Sequence, residues 1–308
     1  MKRYLIFISF LVISISLIFI SCNNDLTPPF EASPADPPVS TTNKIVFASD
    51  RDGDLEIFSL DLGSDILSTL DDTLTQLTNN NFIERNPSLS SDGTEIAFVS
   101  DRSGNLAIHT MDSDGSNVSD SLVTLDGSFN GHPTWNPDGT MIAYDNDFDI
   151  YTINTNTLVE GQITDTSFDS EIYASWSPDG TKMVFSKRFG SGLYDIYTMD
   201  SDGSSLKNLT NTVSEEDLFP KWSSDGSKIT FSTNRDTNNE IYTMDSDGLS
   251  QFNLTNTVGD HEISPDWSAD GINIAYVKND DIYIRNADGT GIETNITNNI
   301  SIDQDAYW

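Results

Sequence analysis

The chain has one cysteine, Cys22, three histidines, and 15 Lys and Arg against 49 Asp and Glu in 308 residues. A single cysteine excludes a disulfide framework and any site built from several thiolates. The shortage of basic residues excludes a general surface for nucleic acid or anionic lipid, because phosphate contacts need Lys and Arg. The net charge of −34 leaves cations, basic proteins and neutral ligands such as glycans open. The catalytic signatures are missing as well. There is no Gly-x-Ser-x-Gly, no phosphate-binding Gly-Lys-(Ser/Thr), no His pair at zinc spacing and no thiol beyond Cys22. No catalytic residue is expected. Apolar content is modest at 36%, but 10% aromatic residues is too many for a disordered chain.

The one long apolar run is N-terminal. Lys2 and Arg3 precede an apolar and Ser stretch from Tyr4 to Ile20, followed by Ser21 and Cys22. A basic start, an apolar middle and a small residue before the cleavage point define a secretory signal. Cys22 directly after Ser21 makes it similar to a bacterial lipoprotein signal, with residues 1–21 removed and Cys22 acylated. An uncleaved anchor is the alternative, although the run is slightly short for a spanning helix. Removal takes away Lys2 and Arg3 and no acid, which deepens the charge from −34 to −36. Residues 22–42 hold five of the eleven prolines and read as a semi-extended tether. The expected location is the cell envelope, periplasmic or surface-exposed, with the lipid as the only membrane contact. Asn23 favours the outer membrane under enterobacterial sorting.

Residues 43–308 are a six-fold repeat. A strand-like triplet recurs as Ile45-Val46-Phe47, Ile96-Ala97-Phe98, Ile142-Ala143-Tyr144, Met183-Val184-Phe185, Ile229-Thr230-Phe231 and Ile274-Ala275-Tyr276, at steps of 51, 46, 41, 46 and 45 residues. Five triplets follow an Asp-Gly turn, a hairpin signal because Gly accepts positive φ. Before the turn stands a small-x-aromatic element. All five tryptophans, Trp135, Trp176, Trp222, Trp267 and Trp308, occupy its last position, where Leu89 substitutes once. A third strand follows each triplet, for example Asp195-Ile196-Tyr197, and a fourth is expected at Leu77-Thr78, Val123-Thr124, Ile163-Thr164, Leu209-Thr210, Leu254-Thr255 and Ile296-Thr297. Four short strands per unit of about 45 residues predict an all-β, six-bladed β-propeller. The first unit lacks its small-x-aromatic strand and the chain supplies one at Ala306-Tyr307-Trp308, so the C-terminal strand is expected to complete the first blade and close the ring.

The repeats resemble those of the TolB-type β-propeller family: Pro-x-Trp-Ser-Pro-Asp-Gly, Ile-Ala-Phe, Ser-Asp-Arg, (Asp/Glu)-Ile-Tyr-x-Met-Asp-x-Asp-Gly and Leu-Thr-Asn, over about residues 44–308. The resemblance implies a cell-envelope propeller that binds a partner. The family's namesake has an α/β domain ahead of its propeller, where only the tether is expected here.

The tryptophans are expected to pack blade against blade. The third-strand acids Glu56, Asp149, Asp195, Glu240 and Asp281 read as partners of Arg51, Arg188 and Arg235 or as caps for backbone N–H groups. The Asp-x-Asp-Gly turns lack the full calcium loop and its terminal Glu. The connections from fourth to next first strand open on one face around the channel mouth, where binding residues gather. They supply a candidate partner-binding rim of Glu84, Arg85, His132, Asp169, Glu171, Glu215, Glu216, Asp217, Asp260, His261, Glu262, Asp303 and Asp305. No resident cofactor is expected; calcium at that mouth stays open. The expected partner is an envelope protein or another ligand bound by a monomeric propeller, not nucleic acid. A glycan-active hydrolase or lyase using rim carboxylates, and a structural lipoprotein without a ligand, stay open. Blade two is the odd repeat, with Leu89, Ala107 and His109 at the Trp, acid and Tyr positions.

Overall fold

The computed structural model describes residues 43–63, 72–124 and 131–308. The expected signal, Cys22, the tether and Phe129-Asn130 lie outside the described residues. The described residues form six four-stranded antiparallel sheets and no helix. Blade 1 combines Asp303–Tyr307 with Lys44–Ser49, Glu56–Asp61 and Thr73–Gln76. Blade 2 runs through Glu84–Leu89, Glu95–Ser100, Ala107–Asp112 and Val123–Thr124. Blades 3 to 6 repeat this order from first strands Thr134–Trp135, Ser170–Trp176, Asp217–Trp222 and Glu262–Trp267. The last strand pairs with the first blade, Val46 opposite Tyr307 and Ser49 opposite Asp303, and each first strand touches the first strands of both neighbours. The propeller is closed, and closure removes the two free edges of an open array.

The triplets are hydrophobic throughout because a blade is buried on both faces. Side chains alternate along a strand. In blade 2, Ile96 and Phe98 pack with Val46, Ile57 and Leu89 toward blade 1, whereas Ala97 and Val99 pack with Trp135, Ile142 and Tyr144 toward blade 3. Six such clusters, one per blade junction, replace a single core.

One expectation is corrected. The Leu-Thr pairs lie just past the fourth strands in five blades; only Val123-Thr124 is a strand. Each pair still bonds the third strand. Leu209 N–H donates to Ile196 O at 2.8 Å, while Ile196 N–H donates to Thr210 Oγ1 at 3.0 Å. The hydroxyl stands in for the next backbone acceptor as the chain leaves the sheet. The glycine of the Asp-x-Asp-Gly turn also faces the preceding blade. At Gly203 (φ +87°) an added Cβ would lie 2.7 Å from Ile163 O, so this approach requires glycine.

Candidate functional site

The rim residues divide into groups the repeat pattern does not separate. Glu84, Glu171, Asp217, Glu262 and Asp303 stand first or second in five first strands and are buried rather than solvated. Each faces a cation from its own blade's second strand or the turn after it. Arg102 Nη2 lies 2.5 Å from Glu84, Arg51 Nη2 2.7 Å from Asp303, Arg235 Nη2 3.1 Å from Asp217 and Lys278 Nζ 3.8 Å from Glu262; Lys187 Nζ bonds Glu171. The third-strand acids of the preceding blade cap the connection between them. Asp149 accepts from Thr166 N–H at 3.0 Å, Asp195 from Thr212 N–H at 2.8 Å, Glu240 from Thr257 N–H at 2.8 Å and Asp281 from Asn299 N–H at 3.1 Å. They cap backbone; Arg51 and Arg235 serve the first-strand acids. Burial raises several of these carboxyls, Glu262 to about 7 and Glu56, with Glu84 beside it, to about 8. These acids hold blades together, since buried carboxylates need partners.

Blade 3 departs from this scheme. Ala107 supplies no capping acid, and the second strand carries a buried Asp145 where the other blades have Ala, Val or Ser. His132 Nδ1 lies 2.7 Å from Asp145 Oδ1. The His132 ring packs on Tyr173 and Tyr173 on Phe219, both at 4.2 Å between centroids. Tyr173 (φ 58°) and Phe219 (φ 56°) sit in the left-handed region at first-strand bulges, as do Asn86, Ser264 and Asp305. Positive φ is costly for bulky residues, and such strain gathers at working sites. The bulge turns these side chains into the channel. His132, Tyr173, Phe219, Asn86 and Asp305 line a chamber of about 70 Å³ toward the fourth-to-first connections. Burial raises the Asp305 carboxyl, and burial together with Asp145 and Asp305 raises the Tyr173 hydroxyl.

A second chamber of about 230 Å³ opens on the opposite face, among the first-to-second hairpins. Trp135, Trp176, Trp222 and Trp308 line it, so these residues wall the channel as well as packing between blades; Trp267 packs only. Thr134, Lys221 and Tyr307 line both chambers and mark the level where they meet. They occupy the variable x of the small-x-aromatic element, the signal that could have located them in the sequence.

The remaining rim residues stay near the surface. Asp169 and Asp260 each lie 3.0 Å from a lysine, Lys187 and Lys278; Glu215, Glu216 and Arg85 are half-buried, and His261 is exposed. Large apolar residues stand among them. Phe168 (86% exposed), Phe189 (58%) and Phe148 (41%) stand on that face around the blade 3–4 junction, and Val213, Val258 and Ile300 project from the other connections. Phe148 sits at φ 70° in a two-residue turn whose counterpart in blade 6 is Asn279-Asp280. The Asp-Gly turn acids bond their own backbone, as Asp92 does with Thr94 N–H at 3.0 Å. Among the described residues, Asp52, Asp54 and Glu56 form the one acidic group close enough to share a cation.

A closed six-bladed propeller with carboxylate-lined junctions and a two-chambered channel is the class defined here. The chain belongs to the TolB beta propeller domain family, whose model matches residues 29–190 and 150–288. It is similar to the protein TolB homolog of Chlorobium luteolum, 36% identical over 158 residues, a match covering 48% of this chain and about a third (33%) of that relative's length. Among solved structures, TolB from Acinetobacter baumannii superposes with a TM-score of 0.70 at 19% identity, over 86% of this chain and 66% of that one. An oligogalacturonate lyase from Vibrio parahaemolyticus superposes at 0.53 with 16% identity, over 84% and 74%. At those identities the two structures bear on fold alone.

Proposed function

We propose that this chain is a lipid-anchored propeller of the cell envelope that binds a protein partner, without chemistry, through the face of its fourth-to-first connections. The observation that carries this reading is the exposed phenylalanine group, Phe148, Phe168 and Phe189, set among acids of the same face. Large exposed apolar residues rimmed by charge mark interaction sites, and the acids favour a partner with basic groups around an apolar contact. Likeness to proteins named TolB homolog supports an envelope location. Lys2, Arg3, the run to Ile20 and Cys22 support a signal over 1–21, acylation of Cys22, and a tether over 22–42. The test is affinity capture of the solubilised protein from its own envelope, with the parent and with a Phe148→Asn/Phe168→Ser variant. A partner retained at equal yield by the variant overturns the reading.

A second reading, a glycan-active enzyme, rests on the chamber toward the fourth-to-first connections instead of the rim acids. His132 held by buried Asp145 has the form of a base and its orienting carboxylate. Turnover of a polysaccharide that is lost in His132→Ala would replace the binding role.

A further inference from the structure

Lys221 stands apart from the other lysines. Lys44, Lys182, Lys187, Lys207, Lys228 and Lys278 each donate to a carboxylate or a carbonyl. Among the described residues Lys221 makes no ion pair and no hydrogen bond. Its Nζ lies 4.0 Å from the Tyr307 ring centroid, at the junction of the two chambers. It is the one Lys or Arg lining either chamber. Asp266 is nearby, but its oxygens accept from Trp267 N–H at 2.9 Å and Trp308 N–H at 3.0 Å. Asp266 lines the same chamber; burial raises its carboxyl, and the Lys221 ammonium opposes that rise without reaching it as an ion pair. An ammonium at the floor of an aromatic-walled cavity therefore keeps its donors free.

We infer that the second, tryptophan-walled chamber is a binding site for a compact monocarboxylate bearing an apolar ring, with the carboxylate on Lys221 and the ring among Trp176, Trp222 and Trp308. Small-molecule sites combine apolar walls with a few placed polar groups, as here. One ammonium matches one negative charge; a dianion would bring an uncompensated charge into an apolar cavity. The volume of about 230 Å³ accommodates a ligand of one or two rings. The site lies on the face opposite the phenylalanine group, so it is independent of the partner-binding reading.

The probe pair is naphthalene-2-acetate and its uncharged amide, titrated into the full chain in detergent and followed by calorimetry and tryptophan fluorescence. The acid should bind and the amide at least tenfold more weakly. Lys221→Gln should bring the acid down to the level of the amide, and Lys221→Arg, which keeps the charge, should preserve most of the preference. Thermal midpoints of both variants check that the propeller is intact. If Lys221→Gln does not fold, the acid-to-amide ratio in the parent and in Lys221→Arg decides the matter. Equal affinity for acid and amide, acid binding unchanged in Lys221→Gln, or no binding at millimolar acid overturns the inference.

Discussion

Glu56 and Glu84, on neighbouring blades, share one side chain: Asn80 Nδ2 lies 3.4 Å from Glu56 Oε2 and 2.9 Å from Glu84 Oε2. Two buried carboxyls this close favour one proton between them. Burial and Glu84 push Glu56 up to about 8, while hydrogen bonds including that from Arg102 overcome burial and lower Glu84. A carboxyl raised above its unfolded value of about 4.5 favours the fold below that pH, and the advantage fades as pH rises through the folded value. Glu262, at about 7, behaves alike. Stability should therefore fall between about pH 4.5 and 8, by up to ~1.4 kcal/mol per pH unit for each titrating group. In Glu56→Gln and Glu262→Gln that slope should flatten. Urea unfolding across the range measures it, and parallel curves for parent and variants would contradict the assignment.

Ring closure depends on a contact between chain ends. Arg51 pairs with buried Asp303 at 2.7 Å and lies over the Phe47 and Phe58 rings, at 5.1 and 4.7 Å. Arg51→Ala strands a buried carboxylate and should cost ~3–5 kcal/mol. Hydrogen exchange should show the amides of Asp303–Tyr307 opening first, because that strand holds the first blade by noncovalent bonds alone. Uniform loss of protection over all six blades would count against this.

The repeat made the blades, their order and the closing strand legible, because each apolar triplet and turn recurs in a position with one physical role. Depth was not legible. Glu84 and Glu215 both follow a fourth strand, yet one is sealed between blades and the other is half-buried at the surface; nothing local to either residue reveals which. Leu209-Thr210 imitates a strand because the Leu209 N–H and the Thr210 hydroxyl continue the ladder. The lining of the channel was hidden for the opposite reason. Lys221, Tyr307 and Thr134 share no chemistry, and a search for sameness passes over the variable position between two fixed ones. Phe148 stands out only beside Asn279-Asp280, its counterpart turn in blade 6.

Tryptophan at the end of the first strand fills the blade junction. Trp267 is buried against Ile241, Leu254 and Ile274. Trp267→Ala should cost ~3–5 kcal/mol through lost burial and the cavity left behind. Trp267→Phe, which keeps an apolar ring, should cost well under half of that. Chemical denaturation of the two variants tests the packing role, and equal costs would contradict it.

Phe148 is where fold and proposed function pull apart. Its φ of 70° suits Asn or Gly and strains an aromatic residue. Residues held in such regions cost ~1–3 kcal/mol, and Phe148, exposed as it is, recovers little of that through burial. Phe148→Asn should therefore stabilise the propeller by about 1 kcal/mol, since Asn tolerates the left-handed region with less strain. The same change should weaken partner capture, because it removes one of the three exposed phenylalanines around the blade 3–4 junction. Thermal unfolding and capture yield, measured on the one variant, separate the two effects. A rise in stability with undiminished capture would leave the strain real and move the contact away from Phe148, whereas a loss of stability would show that the ring is held by packing on the propeller itself.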